Sequence, residues 1–150
     1  MLSSGRNAVT RSVVRCMSGG STHAQKLDPV QEALLAEPCL LVDTEDRVRG
    51  PASKRVCHEV VKGSSPLHRA FSLFVFNDRD ELLLQQRSDT KITFPSLWTN
   101  TCCSHPLATP TEMEEEEQLG ARTAAQRRLG LELGVPHSQA KVEDIKFVTR

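Results

Sequence analysis

The sequence predicts a single α/β (α+β) domain, in which short strands and helices alternate along the chain. Its length of 150 residues suits one domain. Two apolar runs of strand length, 71–76 and 82–84, lie in the middle of the chain. Helix-start signals precede these runs at Asp28-Pro29 and follow them at Thr111. A composition of 38% hydrophobic and 25% charged residues is that of an ordinary globular protein.

Charge, hydropathy and cysteine content narrow the class of protein further. Nineteen basic and nineteen acidic residues give zero formal net charge, which excludes a strongly basic nucleic-acid binder. We therefore expect no nucleic-acid partner. No apolar run approaches the roughly 18 residues of a membrane span, so we expect no span either. The five cysteines are odd in number and follow no signal-peptide core. They fit a reduced, intracellular compartment better than a disulfide framework.

Residues 1–27 have the composition of a leader and not of a folded domain. They contain four basic residues, no acidic residue and several serines. This composition is typical of an organellar transit peptide, and a disordered basic tail is the alternative. We therefore expect a disordered leader or transit peptide at 1–27, which suggests mitochondrial targeting, and a folded region at 28–150.

The first part of the folded region is predicted to be a short helix and a hairpin. Asp28 is a good helix N-cap, and Pro29 suits the first helical position. The segments 39–42 and 47–50, joined by a polar turn, have the pattern of a small hairpin. Residues 50–67 contain glycine, serine and proline breaks, so we expect an irregular connection there.

The middle of the chain predicts a second hairpin followed by a loop. Phe71–Phe76 has the length and composition of a buried strand, and Glu81–Arg87 returns as its partner after a polar turn. Residues 88–110 contain three prolines and few periodic positions, so we expect an irregular segment. Because this loop carries the only tryptophan and two cysteines, it is a better functional candidate than a core segment.

The last part of the chain predicts one long helix and a strand. Thr111 and Glu114 have the spacing of a capping box at a helix start. Gly134 followed by Pro136 is a helix stop signal. The apolar residues of Val142–Val148 indicate a further strand.

Histidine and cysteine side chains are the first candidates for chemistry, because together they can build a tetrahedral metal site. The candidates are Cys57, His58, His68, Cys102, Cys103 and His105. Their spacings match neither a zinc finger nor a zinc ribbon. The alternative is that the histidines are ordinary surface or hydrogen-bonded residues.

Cys103 is the second candidate, because a thiol near His105 could act as an acid, a base or a nucleophile. Cys102 and Cys103 are adjacent, so in an extended segment their side chains point to opposite faces. One thiol could pack while the other meets a ligand. The alternative is that both are buried small hydrophobic residues.

Basic residues form the third candidate set, since separated Lys and Arg side chains can bind a phosphate or a diphosphate. This set consists of Lys54, Arg55, Arg87, Lys91, Arg127 and Arg128. Solvated surface charge is the alternative. Glu132 stands alone among apolar residues of the predicted helix, and its placement indicates a ligand role.

Several segments, in this order and spacing, resemble type I isopentenyl-diphosphate isomerases. The segments are His68–Ser72, Leu82–Ser88, Lys91–Pro95, Trp98–Leu107, Ala124–Leu129 and Glu132–Gly134. The segment Trp-Thr-Asn-Thr-Cys-Cys-Ser-His-Pro is the most specific of them, and the resemblance covers about residues 28–150. It implies a Nudix-like mixed sheet flanked by helices, and the interconversion of isopentenyl and dimethylallyl diphosphate in isoprenoid and sterol precursor biosynthesis.

The resemblance also implies a role for each site residue. Cys103 would be the catalytic thiol. The substrate-binding residues would be Lys54, Arg87, Lys91, Ser104 and Arg128. The metal ligands would be His58, His68, His105 and Glu132, with Mg²⁺ as the cofactor and Mn²⁺ or Zn²⁺ as alternatives at the histidines. The partner would be a small-molecule diphosphate, the protein a monomer, and its location cytoplasmic or peroxisomal.

Departures from the family pattern bear on activity. Arg128 and Leu131 stand where a Nudix hydrolase has carboxylates, which argues against diphosphate hydrolysis. The family continues beyond Arg150 into a Glu-x-Glu pair that supplies the second acid/base group, so we expect the 150-residue chain alone to be inactive. A non-catalytic diphosphate- or metal-binding module is the main alternative. A Nudix hydrolase, or a zinc protein built on the cysteines, would be further alternatives.

Overall fold

The computed structural model describes residues 29–91 and 94–150. The predicted leader at 1–27 and the predicted cap at Asp28 lie outside the described residues. The elements are α1 (Pro29–Ala36), β1 (Pro38–Val42), β2 (Val48–Ser53), α2 (Lys54–His58), β3 (Phe71–Leu73), β4 (Gln85–Gln86), β5 (Trp98–Thr99), β6 (Cys102–Ser104) and α3 (Leu119–Leu133). Short 3-10 turns lie at Glu116–Gln118 and Val142–Asp144.

The combination of helices and antiparallel strands confirms the α+β class. Strand β1 pairs with β2, β3 with β6, and β4 with β5, and all three pairs are antiparallel. In the described part of the chain the strands thus form three two-stranded ladders, where the resemblance implied one mixed sheet. No helix in that part is long and apolar enough to cross a membrane.

The first hairpin, β1–β2, is confirmed. Its turn is closed by the Asp43 carboxylate, which accepts hydrogen bonds from the backbone N–H groups of Glu45 (3.0 Å) and Arg47 (2.9 Å). Isolated bridges join Cys39 to Leu107 and Leu41 to His68, and so attach this hairpin to the two segments that contain those residues.

The expectation of an irregular segment over 50–67 is wrong for its first part. Strand β2 continues to Ser53, and helix α2 follows at once. The Ser53 hydroxyl accepts a hydrogen bond from the Val56 backbone N–H (3.3 Å), which caps the helix. The prediction missed α2 because one turn of helix is too short to show a periodic apolar pattern.

The second hairpin exists, but its first strand is shorter and more exposed than predicted. Phe76 and Leu82 form the bridge next to the turn, as expected. Strand β3 ends at Leu73. Two residues later, the backbone N–H of Val75 donates to the Thr101 hydroxyl (2.9 Å) and not to a neighbouring strand. The prediction of a buried strand is therefore wrong, and Phe76 is 57% exposed.

Two strands lie where the sequence indicated an irregular loop, so the expectation for 88–110 is also wrong. Strands β5 and β6 pair with β4 and β3, respectively. The prolines of this region lie outside both strands, so none of them removes a hydrogen-bond donor from a ladder.

Helix α3 begins later than its predicted capping box. Glu112 is buried and turns into the protein, and Glu117 and Gln118 have positive φ angles of 47° and 58° that interrupt the helical conformation. The helix end is confirmed, since Gly134 adopts φ 67° and donates to the Gly130 carbonyl (3.1 Å). The predicted strand at 142–148 is wrong, because its first three residues form a 3-10 turn.

The core lies between β1, α2, β6 and α3. Its buried hydrophobic residues are Cys39, Leu40, Cys57, Cys102, Ala124, Ala125 and Leu129. Helix α3 packs against β6. The core therefore fixes the short strand that precedes His105 between a hairpin and a helix.

Candidate metal centre and thiol site

Three histidines from distant parts of the chain meet at one place. His58 ends α2, His68 bridges to β1, and His105 follows β6. Their ring centroids lie 4.9, 4.9 and 5.0 Å apart. One potential ligand atom of each ring lies within 4.8 Å of the others. The structure thus brings together the three histidines for which the resemblance implies metal binding.

Hydrogen bonds fix the tautomers of two of these rings. Nδ1 of His58 lies 2.8 Å from the Lys54 carbonyl, and Nδ1 of His68 lies 2.8 Å from the Pro66 carbonyl. A carbonyl only accepts, so each Nδ1 carries a proton, and in the neutral ring Nε2 then presents a lone pair. Nδ1 of His105 is buried and has no hydrogen-bond partner within the described residues. Such a set of imidazole donors fits a divalent metal ion.

The electrostatic environment keeps His105 in the form that binds metals. Burial, followed by the positive charge of Lys54 and the neighbouring histidines, lowers the pKa of His105 to about 3. The ring is therefore neutral at physiological pH, as a metal ligand must be. Burial also lowers the pKa of Lys54, whose Nζ lies 3.8 Å from the Glu37 carboxylate.

Cys103 lies beside this cluster with an accessible thiol. The thiol donates a hydrogen bond to Oδ1 of Asn100 (2.8 Å), and the Ser72 hydroxyl lies 3.4 Å from the sulfur. The Asn100 amide is held in this orientation because its Nδ2 donates to the Leu73 carbonyl (3.2 Å). A shallow cavity of about 260 Å³ opens next to the thiol. Its lining residues are Ala70, Phe71, Ser72, Cys103, Ser104 and His105.

Cys102, the adjacent residue, belongs to a second cluster on the side of α3. Its thiol donates to Oε2 of Glu132 (3.4 Å), which also accepts from Gln85 Nε2 (3.2 Å). The other oxygen of Glu132 accepts from Arg128. Burial opposes the charge of Glu132, but the hydrogen bond and the charge of Arg128 outweigh it and lower the pKa of Glu132.

The remaining predicted site residues fall into two groups. Ser104 is buried and lines the cavity, and Lys54 is close enough to His105 to lower its pKa. Arg87 and Lys91 belong to a different part of the chain, around the turn after β4. The guanidinium of Arg87 donates to the Phe94 carbonyl (3.2 Å), and Lys91 is exposed. Neither lines the cavity beside Cys103.

Sequence reasoning assigned no role to three residues that the structure places at these sites. Asn100 bonds the thiol, Gln85 bonds Glu132, and Glu112 bonds Arg127 behind His105. Asn100 and Gln85 lie in the segments that carry the resemblance, which was the available signal. No feature of the sequence distinguished Glu112 from the acidic residues at 114–117, which have the pattern of a solvent-exposed helix start.

The structure does not support a zinc site on the cysteines. Cys57 and Cys102 are buried, whereas Cys103 is exposed on the other face of β6. Within residues 29–91 and 94–150, the histidines are the only group of three or more potential ligands close enough to share an ion.

Comparison with known proteins shows the family to which this chain belongs. Residues 66–149 match the NUDIX domain, so this chain belongs to the NUDIX family. It is 54% identical over 127 residues to isopentenyl-diphosphate Delta-isomerase 1 of Bos taurus, covering 83% of this chain and 55% of the relative. It is 48% identical over 144 residues to isopentenyl-diphosphate Delta-isomerase II of Clarkia breweri, covering 94% and 50%.

These matches confirm the resemblance to type I isopentenyl-diphosphate isomerases. A further relative, isopentenyl-diphosphate Delta-isomerase 1, chloroplastic, of Cannabis sativa, is 54% identical over 120 residues, covering 78% of this chain and 42% of the relative. The chain spans about half the length of the curated relatives it matches.

Proposed function

We propose that this chain carries the thiol side of an isopentenyl-diphosphate isomerase active site. One observation supports this proposal above the others: the accessible Cys103 thiol borders a cavity beside three converging histidines. The reaction would convert isopentenyl to dimethylallyl diphosphate for isoprenoid biosynthesis, including sterol and cholesterol precursors. Residues 28–150 would form the N-terminal part of a Nudix-like isomerase domain.

The chemistry requires proton transfer at both ends of an allylic unit. Protonation of the unactivated alkene gives a tertiary carbocation, which must lose a proton at another carbon. Cys103 would hold or move one of these protons at Sγ, since a compact thiol can serve as a general acid or base. The Asn100 oxygen accepts from the S–H group and so keeps the thiol proton at a fixed place. The carbocation must also be protected from water, and Ala70 and Phe71 supply apolar surface beside the thiol.

Basic and polar side chains would bind the diphosphate and hold the alkene near Cys103. The residues proposed for this role are Lys54, Arg87, Lys91, Ser104 and Arg128. Lys54 and Ser104 lie near the histidines, which supports their assignment. Arg128 is bonded to Glu132, so a diphosphate would compete with that carboxylate for the guanidinium.

His58, His68 and His105 would hold a divalent ion, and Glu132 would contribute to a second one. Mg²⁺ is the proposed cofactor, and the nitrogen donors also suit Mn²⁺ or Zn²⁺ at the histidines. A bound divalent ion supplies positive charge that neutralises the diphosphate. Two observations support this assignment: Nε2 of His58 and of His68 is left for a ligand, and Nδ1 of His105 has no hydrogen-bond partner among residues 29–91 and 94–150.

The substrate would be the only partner needed, and the protein would act as a monomer without nucleic acid or a membrane span. We infer a cytoplasmic or peroxisomal location from the family, or an organellar one if residues 1–27 act as a transit peptide. The Cannabis sativa relative is named as a chloroplastic protein, which supports the organellar alternative.

The proposal is tested by incubating the protein with isopentenyl diphosphate and Mg²⁺ in D₂O and following the alkene protons by NMR. Protein that also contains the second acid/base group should form deuterated dimethylallyl diphosphate, whereas the 150-residue chain alone is expected to form none. Cys103→Ala should lower the rate by about a hundredfold or more, a typical loss for a general acid/base group. Cys102→Ala is the matched control and should keep most of the rate. Thermal stabilisation by diphosphate without turnover, in the protein that contains both acid/base groups, would instead indicate a binding module.

Release of phosphate from a nucleoside diphosphate would indicate a NUDIX hydrolase and contradict the proposal. The composition of α3 argues against that outcome. Glu132 is the only carboxylate in Leu119–Leu133, with Arg128 and Leu131 nearby. Diphosphate hydrolysis by NUDIX enzymes needs several carboxylates around its metal ions.

A further inference from the structure

An ion pair between the buried Glu112 and the partly buried Arg127 contacts the backbone at His105. The Glu112 residue is only 5% exposed. Its carboxylate accepts from Nε of Arg127 (2.5 Å) and from Nη2 of the same side chain (2.9 Å). This two-pronged geometry fixes both side chains more strictly than a single bond would. The pair joins helix α3 to the loop that follows β6.

The same two side chains also bond the backbone on either side of Pro106. The Glu112 carboxylate accepts from the Leu107 N–H (2.8 Å), and Arg127 Nη2 donates to the His105 carbonyl (3.3 Å). Both ends of the segment 105–107 are therefore tied to one ion pair.

His105 differs from the other two histidines in what orients its ring. His58 and His68 each bond a carbonyl through Nδ1, and those bonds hold the rings. Nδ1 of His105 has no such bond within the described residues, although it is buried. The position of this ring therefore depends on its own backbone, and that backbone is held by Glu112 and Arg127.

We propose that Glu112 and Arg127 are positioning residues, which aim His105 at the point where the three histidine rings converge. The two residues act through the backbone of His105 and Leu107 and touch neither substrate nor ion. This inference rests on the proposed function, because it assumes that the cluster holds a divalent ion. It means that metal binding by the histidines also requires an ion pair outside the cluster, one member of which lies in α3.

The first test is Zn²⁺ affinity, measured by competition with a chromophoric chelator. Glu112→Gln keeps the shape of the side chain and removes its charge. Arg127→Lys keeps the charge and removes the two-pronged geometry. Each variant should bind Zn²⁺ about tenfold to a hundredfold more weakly than wild type, the usual loss for groups that orient metal ligands. Ala125→Gly, a buried change in the same helix, is the control for a general loss of stability and should keep wild-type affinity.

The second test is the long-range ¹H–¹⁵N NMR spectrum of the histidine rings without metal. The His105 signals should shift in Glu112→Gln and stay unchanged in Ala125→Gly. Provided that His105→Ala weakens Zn²⁺ binding, equal Zn²⁺ affinity in the ion-pair variants and wild type would overturn the inference. If either variant fails to fold, the other carries both tests.

The two tests also separate this inference from the proposed function. If wild type and His105→Ala bind Zn²⁺ equally, the proposed metal site fails, and the ring spectra alone decide the positioning role. A shift confined to the ion-pair variants would then support that role, and unchanged His105 signals would exclude it.

Discussion

The two faces of strand β6 place neighbouring cysteines in opposite environments. On the inner face, Cys102 is fully buried and shares the Glu132 carboxylate with Arg128 and Gln85. Burial, followed by the negative charge of Glu132, raises the pKa of the Cys102 thiol to about 12. The carboxylate of this face is already bonded by protein groups.

On the outer face, Cys103 is accessible and His105 follows two residues later. The Cys103 thiol is bonded on one side by Asn100 and opens to the cavity on the other. The Nδ1 bonds of His58 and His68 leave Nε2 for a ligand, and within the described residues the buried Nδ1 of His105 has no hydrogen-bond partner. The comparison shows that residue type alone does not make a site. Polar groups bonded within the protein can bind a ligand only by giving up those bonds, whereas accessible or unsatisfied groups are available at once.

The largest expected contrast is in thiol reactivity. At neutral pH the raised pKa of Cys102, about 12 against 9.0, lowers its thiolate fraction by about a thousandfold. Iodoacetamide should therefore label Cys103 and leave Cys102 unmodified. Timed labelling and peptide mass spectrometry would measure both rates, with denatured protein as the control in which both react. Comparable native rates would mean that the two faces do not differ as described.

The next contrast concerns the ion pair of the inner face. Arg128→Met leaves the Glu132 carboxylate without its charged partner, and we expect a loss of about 3 kcal/mol in the free energy of unfolding. Urea denaturation would measure it. The double variant Arg128→Met/Glu132→Met removes both charges and should recover part of the loss. No recovery would indicate that the arginine stabilises the helix by packing alone.

The next prediction concerns His105 on the outer face, which should make the free energy of unfolding depend on pH. The pKa of His105 is about 3 in the folded protein and near 6.5 when unfolded, so the unfolded state binds more protons between these values. Stability should fall as the pH is lowered from about 6.5 towards 3, by up to about 1.4 kcal/mol per pH unit. Urea denaturation of metal-free protein across this range would show the slope. In His105→Gln this contribution should disappear, and an unchanged slope would assign it to other groups.

The smallest expected effect is at the start of the helix that carries His58. Ser53→Ala removes the cap of α2, which should cost about 1 kcal/mol of stability. Thermal denaturation would detect it. Ser53→Asp, which can still accept the Val56 N–H bond, should restore most of the stability. If Ser53→Ala also weakens Zn²⁺ binding, the cap contributes to the outer face as well as to the fold.

Local signals predicted some elements well and failed where contacts were distant. The hairpin at β1–β2 and the helix end at Gly134 follow from turn and cap residues that act within a few positions. The predicted start of α3 was wrong: Glu112 is buried and bonds Arg127, a contact across 15 residues that a local capping pattern does not show. The histidine cluster could not be derived from spacing, since three separate segments supply it. Residue type made the histidines candidates for a metal site, and the resemblance to a known family singled out these three.

Gly120 carries a consequence for the natural variation that this chain can accept. A Cβ atom added there would lie 2.4 Å from the Glu112 carbonyl oxygen and 2.6 Å from its carbon. Both atoms belong to the backbone, so no side-chain rotation can relieve the overlap. Any substitution would push α3 away from the loop that leads back to His105. Position 120, which does not line the cavity, therefore accepts only glycine. Only a synonymous codon change there would leave the protein unaltered.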